Sequence, residues 1–565
     1  MENKPIARKL RLLSQLMGLH DDNPFKIRSV ANAAFKVDKL PFPAASKTFE
    51  ELEKTDGIGK SIAAKITELI TTGTMAELDG LLAKTPEGVV EMMGLQGIGP
   101  KKLAVIWREL NIENIGELFY ACNENRLVEA KGFGLKTQEE IRKIIEFNRI
   151  SQGKFLYAHV VADAHELIKK IKEILPDSLI ELAGEFRRCC EIISKLTVVI
   201  GSENQQYALN TLKHVSILSN ISTDNNCITG QLHNRLTVCI ICVEKRFFYK
   251  ELFIRTGDDA HVMAVLNKIS DNINELISEN QIYNLAGINY IPPELREGVE
   301  YLEKAKNNVL PKLITYDDLK GSLHNHSDWS DGINTIEEMA IYCRDHLKME
   351  YLGMCDHSKS AFYAKGLTIE QVLQQQEEID NLNEQFNGFH IFKGIESDIL
   401  YDGSLDYPEE ILKRFDFIVA SVHSILKMDE EKATSRLIKA IENPYTNILG
   451  HPTGRLLLSR DGYPINHKKV IDACAANNVV IEINANPFRL DLDWRWQQYA
   501  LDKGVWLTVN PDAHRKEGFL DMHFGILVGR KGGLYKERCL NALSLQDIKE
   551  FFKNSREIRR FKVNN

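Results

Sequence analysis

A multidomain α/β chain is the fold class this sequence predicts, and three observations carry the prediction. A Gly-apolar-Gly turn recurs three times early in the chain, helix-like and strand-like segments alternate in the middle, and apolar runs beyond residue 316 repeatedly end in metal-ligand residues. With 565 residues the chain exceeds what one core can organise. The expected divisions are an all-α region (1–148), an α+β region (149–315) and a barrel of alternating strands and helices (316–565). A net charge of -8 and a pI near 6.1 neither favour nor exclude a nucleic-acid partner. Ten scattered cysteines suit a reducing cytoplasm better than a disulfide framework. Cys239 and Cys242 form a CxxC, but in the strand-like LTVCIICV their thiols point to opposite faces, as core residues do. The N-terminus, MENKPIARKLRLLSQL, has no signal-peptide core, and no apolar run is long enough to cross a membrane, so no membrane partner is expected.

The first region reads as short helices joined by turns. LEKTDGIGKSIAAKI carries Gly57 and Gly59 before Lys60, MMGLQGIGPKKLAVIW carries Gly97 and Gly99 before Lys101, and VEAKGFGLKTQEEIRKI carries Gly132 and Gly134. Glycine lets the backbone approach a phosphate, and the helix that follows offers free N–H groups and a favourable dipole. These positions are candidate DNA-backbone contacts of a kind that holds without reading bases. One copy would equally be an ordinary helical hairpin; three copies shift the reading towards DNA. The copies look like helix-hairpin-helix motifs, and with NPFKIRSVANAAFKV (23–37) they resemble the small N-terminal domain of family X DNA polymerases. The resemblance implies that Lys65, in GIGKSIAAKI, stands where that family keeps the Schiff-base lysine of a 5′-deoxyribose-phosphate lyase. A phosphate contact is the commoner use of such a lysine.

In the middle region LTVVIGS and RLTVCIICVEK read as strands between helices. AGEFRRCCEIISKLTVVIG (183–201) and LFIRTGDDAHVMAVL (252–266) resemble the catalytic, nucleotidyltransferase domain of the same family. There an Asp-x-Asp pair and a third aspartate hold two Mg²⁺ ions. Here those positions fall on Lys195, Thr197 and Cys239, and the phosphate-contacting serine is Glu185. Mg²⁺ needs hard oxygen ligands, so the resemblance implies a degenerate module without Mg²⁺ and without nucleotidyl transfer. Gly184, Arg187, Arg188, Thr256 and Gly257 are retained, which leaves open a residual grip on DNA or nucleotide.

YIPPELREGVEYLEKAKNNVLPKL, with paired prolines and then a charged helix, reads as a connection to the last region. That region opens with GSLHNHSDWSDG (321–332). In a strand His324 and His326 share a face, and Asp331 before Gly332 can turn a carboxylate back towards them. MEYLGMCDH then ends at Asp356 and His357, FHIFKGIE at Glu396, FDFIVASVH at His423, TNILGH at His451 and VWLTVNPDAH at Asp512 and His514. Buried parallel strands read as such runs, and residues at the C-terminal ends of barrel strands share one mouth. Six histidines and at least three carboxylates would then converge, too many for one ion. Together these motifs, with CDHSKS, GHPTGR and EINANPFRLDL, resemble the PHP (polymerase and histidinol phosphatase) domain fused to bacterial family X polymerases. The resemblance implies a distorted (β/α)7 barrel with three divalent ions. His324, His326, Glu396 and Asp512 would hold one; Glu396, His423 and His451 the second; Asp331, His357 and His514 the third. Imidazole and carboxylate suit Zn²⁺, Mn²⁺ or Fe²⁺ alike.

Such a centre lowers the pKa of bound water and hydrolyses phosphoesters. Asp512, His514 and Glu396 are the candidate catalytic residues, with Asp512 or His514 handling protons. Arg455, Arg460, Lys365 and Arg489 are candidates for gripping phosphate, and Asp356 for orienting a ligand from behind. The expected function is a cytoplasmic, monomeric DNA-processing 3′-5′ exonuclease acting on gapped DNA or a free 3′ end, with a role in DNA repair. Three alternatives remain: an active polymerase with proofreading, a histidinol phosphatase-like enzyme for small molecules, and a non-catalytic repair scaffold.

Overall fold

The computed structural model describes residues 2–563 except 96, 97, 129, 131, 151, 152, 270–272 and 274, with backbone only at 146–150 and 556–563. The chain divides into two compact units, Met1–Glu146 and Phe147–Asn565.

The first unit is helical throughout its described residues. Asn3–Leu19 packs on Pro24–Asp38, the latter started by Asn23, whose side chain accepts from Phe25 N with Pro24 at the first helical position. The Gly-apolar-Gly turns join Phe49–Glu53 to Lys60–Thr72, Glu87–Met92 to Pro100–Arg108, and Ile115–Asn123 to Leu135–Ile150. Ile58 and Ile98, the apolar residues of the first two turns, are buried while Lys60 and Lys101 stay exposed.

The second unit begins with a mixed five-stranded sheet in the order Leu179–Ala183, Lys195–Ser202, Thr237–Glu244, Cys227–Gln231, Ser219–Asp224. Tyr157–Ile174 and Gln205–Leu212 cover one face, which takes in Val198, Ile200, Ile240 and Cys242. Phe248–Thr256 covers part of the other through Phe248 and Leu252. The stretch expected to be a plain connection is instead packed: Leu295, Tyr301, Leu302 and Leu313 share a core with Phe253, Ile282 and Tyr283. Its apolar residues outweigh its charges, which explains why one compact unit runs on from the mixed sheet to the C-terminal strands.

Those strands form a three-stranded parallel sheet (His390–Lys393, Tyr351–Met354, Gly321–Ser322) and a five-stranded one. The second runs Glu396–Asp398, Val419–Ser421, Ile448–Leu449, Val480–Asn484, Leu507–Asn510. Isolated parallel bridges His357↔Glu396 and Asn325↔Ala513 join the two sheets at both ends. Helices such as Ile369–Gln385, Glu430–Glu442 and His467–Asn477 lie between successive strands, and Tyr351–Met354, Val480–Asn484 and Leu507–Asn510 are buried end to end. No described helix is long and apolar enough to cross a membrane.

Candidate metal centre

Seven of the nine predicted ligands sit at the C-terminal side of a parallel strand. His324 and His326 follow Gly321–Ser322, His357 follows Tyr351–Met354, His423 follows Val419–Ser421, His451 follows Ile448–Leu449, and Asp512 and His514 follow Leu507–Asn510. Glu396 differs, opening its own strand after the break at Gly394–Ile395. Asp331 returns by a loop in which Gly332 is required: a Cβ there would lie 2.6 Å from the His326 carbonyl oxygen.

The structure brings all nine together. Glu396 Oε1 lies 3.2 Å from His324 Nε2, 3.2 Å from His423 Nε2 and 3.0 Å from His451 Nε2, so this carboxylate is shared among three imidazoles. His326 Nε2 is 3.0 Å from Asp512 Oδ1, and His514 Nε2 is 3.3 Å from Asp331 Oδ1. Atoms able to share one ion group as His326, Asp331, His357 and His514; as His324, His326 and Asp512; and as His357, Glu396 and His423. His326 and His357 thus each join two groups, beyond the single set assigned to them from the resemblance.

Whether these residues fit a cation can be asked of their unused atoms. His324 Nε2, His326 Nδ1, Asp331 Oδ2, His357 Nδ1, Glu396 Oε2 and His451 Nδ1 are buried without a hydrogen-bond partner, a costly state for polar groups. Donors about 2.1 Å from a common ion lie roughly 3.0–3.4 Å apart, which is the spacing around Glu396. The group suits divalent metal.

Charge within the cluster follows from burial and proximity. Burial alone would raise Glu396, but His423, His324 and His357 hold its carboxyl well below the usual range, and the imidazoles around Asp512 do the same there. His326, buried beside His514 and His357, is pushed down to about 3, which keeps its imidazole neutral and able to ligate.

Two carboxylates orient the histidines from behind. Glu482 lies 2.7 Å from His324 Nδ1 and accepts from His451 N and Asn510 Nδ2. Asp398 lies 2.5 Å from His423 Nδ1. Each accepts a ring N–H and so turns Nε2 to the cluster. Neither was singled out from the sequence, although an acid inside the apolar VVIEIN had to have partners. Asp356, singled out for such a role, does something else. It accepts from Ser327 N, Ser327 Oγ and Gln375 Nε2, fixing the 327–330 loop instead of His357, and burial lifts its carboxyl to about 6.

The expected phosphate-gripping residues separate. Arg489 is buried with Nε 3.8 Å from Asp512 Oδ2, at the cluster. Arg455 is bound to Asp493 and to the Arg489 carbonyl, and Arg460 donates to the Gly454 carbonyl, so both brace their loop. Lys365 is exposed on the loop after His357.

In the mixed sheet, Thr197 and Cys239 are paired neighbours on parallel strands, with Lys195 exposed at the strand start. Glu185 accepts from Ser194 N and Ser194 Oγ instead of facing a phosphate. The retained arginines are occupied. Arg187 makes a two-point pair with Glu279 at 3.0 and 2.6 Å, and Arg188 pairs with Glu297, which also binds Lys531. The residual phosphate grip left open by the sequence is therefore not available at these two side chains. Cys239 Sγ lies 2.9 Å from Cys227 Sγ, while Cys242 faces the core.

In the helical unit a Cβ built at Gly59, Gly99, Gly132 or Gly134 meets nothing within 4 Å, so these turns present bare backbone. Gly57 and Gly132 have positive φ, and Gly59 and Gly99 cap the helices that follow. Gly97 lies outside the described residues. Lys65 Nζ is 2.5 Å from Glu77 Oε2; a carboxylate, not an apolar pocket, faces this amine.

Residues 1–75 match the helix-hairpin-helix domain family. The chain is similar to the DNA polymerase/3'-5' exonuclease PolX of Bacillus subtilis (strain 168), at 32% identity over 98% of this chain and 100% of that protein. It is similar to a probable phosphatase of Thermoanaerobacter sp. (strain X514), at 32% identity over 31% of this chain and 73% of the relative. A probable phosphatase of Caldanaerobacter subterraneus subsp. tengcongensis is 38% identical over 23% of this chain and 53% of its own length.

Proposed function

From the premise that the chain belongs to the PolX family, we propose that it is a DNA-processing phosphodiesterase, a 3′-5′ exonuclease whose reaction takes place at the C-terminal cluster. The observation that carries this reading is the convergence of nine histidine and carboxylate side chains, six of them with a buried ligand atom that has no hydrogen-bond partner. In this reading residues 316–565 are a PHP-type (β/α)7 barrel, 149–315 a polymerase-like module and 1–148 the DNA-holding region.

The ligand sets would be those inferred from the resemblance, for three ions of Zn²⁺, Mn²⁺ or Fe²⁺. When bound, such ions supply Lewis-acid polarisation of the phosphate and a water acidic enough to attack at neutral pH. The chain's own residues do the rest. Glu482 and Asp398 fix the tautomers of His324 and His423, so Nε2 of each is ready to ligate. Arg489, beside Asp512, would bind a non-bridging phosphate oxygen. Asp512 or His514 would take up the proton that the attacking water gives up and relay it to the leaving oxygen. Gly57, Gly59, Lys60, Gly97, Gly99, Lys101, Gly132 and Gly134 would hold the DNA backbone. The protein would act as a cytoplasmic monomer on gapped DNA or a free 3′ end.

Loss of polymerase activity is part of the proposal, supported by Lys195, Thr197 and Cys239 and by the ion pairs of Arg187 and Arg188. The test is incubation with 3′- and 5′-labelled duplexes and Mn²⁺, with and without the four nucleotides. Release of nucleotides from the 3′ end without primer extension is expected. Extension of the primer would restore the polymerase reading, and hydrolysis of small phosphomonoesters alone would turn the assignment to a phosphatase.

A further inference from the structure

The loop 358–367 leaves the cluster directly after His357 and is pinned at both ends. Leu367 N donates to the His357 carbonyl at 2.9 Å, and Ser360 N donates to Asp406 at 2.7 Å. Ser360 Oγ donates at 2.9 Å to Asp398, the carboxylate that also orients His423. Ala361 and Ala364 are buried, yet Phe362 between them is 71% exposed. An apolar ring held in water on a fixed loop forgoes the stabilisation that burial brings. It is joined to the cluster by rings: Tyr363 lies 6.4 Å from His357 and 6.0 Å from Phe362, centroid to centroid, edge-on in the second case.

We propose that Phe362 is a stacking platform for the base of the nucleotide at the cleaved end. The proposal rests on the phosphodiesterase reading above. A nucleotide whose phosphate sits at the cluster carries its base on the same sugar, about one nucleotide from the metal ligands, and an exposed aromatic face there can stack on any of the four bases. The loop shares its anchor, Asp398, with His423, so ring and cluster are held in one register, and on the phosphodiesterase reading the flat group within one nucleotide of the cluster is a nucleobase.

The test compares kcat/KM on an oligonucleotide with an ordinary 3′-terminal nucleotide against the same strand with a 3′-terminal abasic residue, in Mn²⁺, for wild type, Phe362→Ala and Phe362→Trp. The preference for the base-bearing end should fall about tenfold in Phe362→Ala, through KM, and return in Phe362→Trp. Equal losses on both ends, or no loss, would overturn the platform. Wild-type hydrolysis of bis(p-nitrophenyl) phosphate separates the two ideas: its absence, along with inactivity on both strands, removes the phosphodiesterase reading and the platform with it.

Discussion

The mixed sheet and the parallel strands that follow it both gather polar side chains at the ends of central strands, and they use them in opposite ways. At the parallel strands the groups are buried, of ligand type, and left with unused atoms facing one another around Glu396. In the mixed sheet three side chains of the motif are satisfied within the protein: Glu185 by Ser194, Arg187 by Glu279, Arg188 by Glu297. A binding site keeps its electrostatics incomplete until something arrives, whereas a structural network closes on itself. The same motif residues can be retained in either, so retention of Arg187 and Arg188 says little until their partners are seen.

Substitutions can break or sharpen that contrast. The largest effect is expected for His324→Ala or Glu396→Ala, which should lower Mn²⁺-dependent release of nucleotides from a 3′ end on the order of a thousandfold. Lys195→Ala should leave this release unchanged, and a labelled-strand assay checks both. Metal removal comes next. Exhaustive chelation should abolish hydrolysis and lower the Tm, because the facing carboxylates and imidazoles lose their common partner, and added Mn²⁺ should restore both. Elemental analysis should return fewer ions for Glu396→Ala than for wild type. A smaller loss, about 10- to 100-fold in metal affinity, is expected for Glu482→Gln, which keeps the volume but removes the negative charge behind His324 and turns one of two accepting oxygens into a donor. An unchanged metal titration would take Glu482 out of the site.

The smallest effect belongs to the mixed sheet. Burial would raise the Glu297 carboxyl, but Lys531 and Arg188 bring it down to about 2 from an ordinary value near 4.5. A carboxyl depressed by folding stabilises above its unfolded pKa, and that contribution is lost as pH falls from about 4.5 towards 2. Glu297→Gln should therefore cost roughly 2 kcal/mol near neutral pH, with the gap to wild type closing over that acidic window. Denaturant titrations at several pH values check it, and hydrolysis should change far less than in the Glu396 variant.

The convergence of these side chains was legible because most of them stand at the ends of apolar runs, where a parallel strand leaves side chains no choice of direction. Sharing of His326 and His357 between groups was not, since it depends on ring distances of 4.4 Å set by packing across strands. Glu482 and Asp398 escaped because a carboxylate that orients a histidine looks, in sequence, like any buried acid. Arg455 shows the converse: an arginine beside a site motif gives no sign in sequence that Asp493 will bind it. In the mixed sheet the absence of an acidic residue from SKLTVVIG can be read directly, but the partners of Arg187 and Arg188 lie 92 and 109 residues away, beyond any local pattern.

Arg187 has one further consequence, through Arg296. Glu279 lies between both guanidiniums, and Arg296 is fully buried beside the rings of Tyr283 and Tyr290. Placing aspartates at 195, 197 and 239 would add carboxylates for cations while leaving Arg187 held by Glu279 and unable to turn towards an incoming triphosphate. Freeing it by changing Glu279 would strand Arg296 without a counter-charge, at a cost of about 3–5 kcal/mol. Under the proposed loss of nucleotidyl transfer, reversion would run uphill through an unstable intermediate, and three codons would not be enough to retrace it.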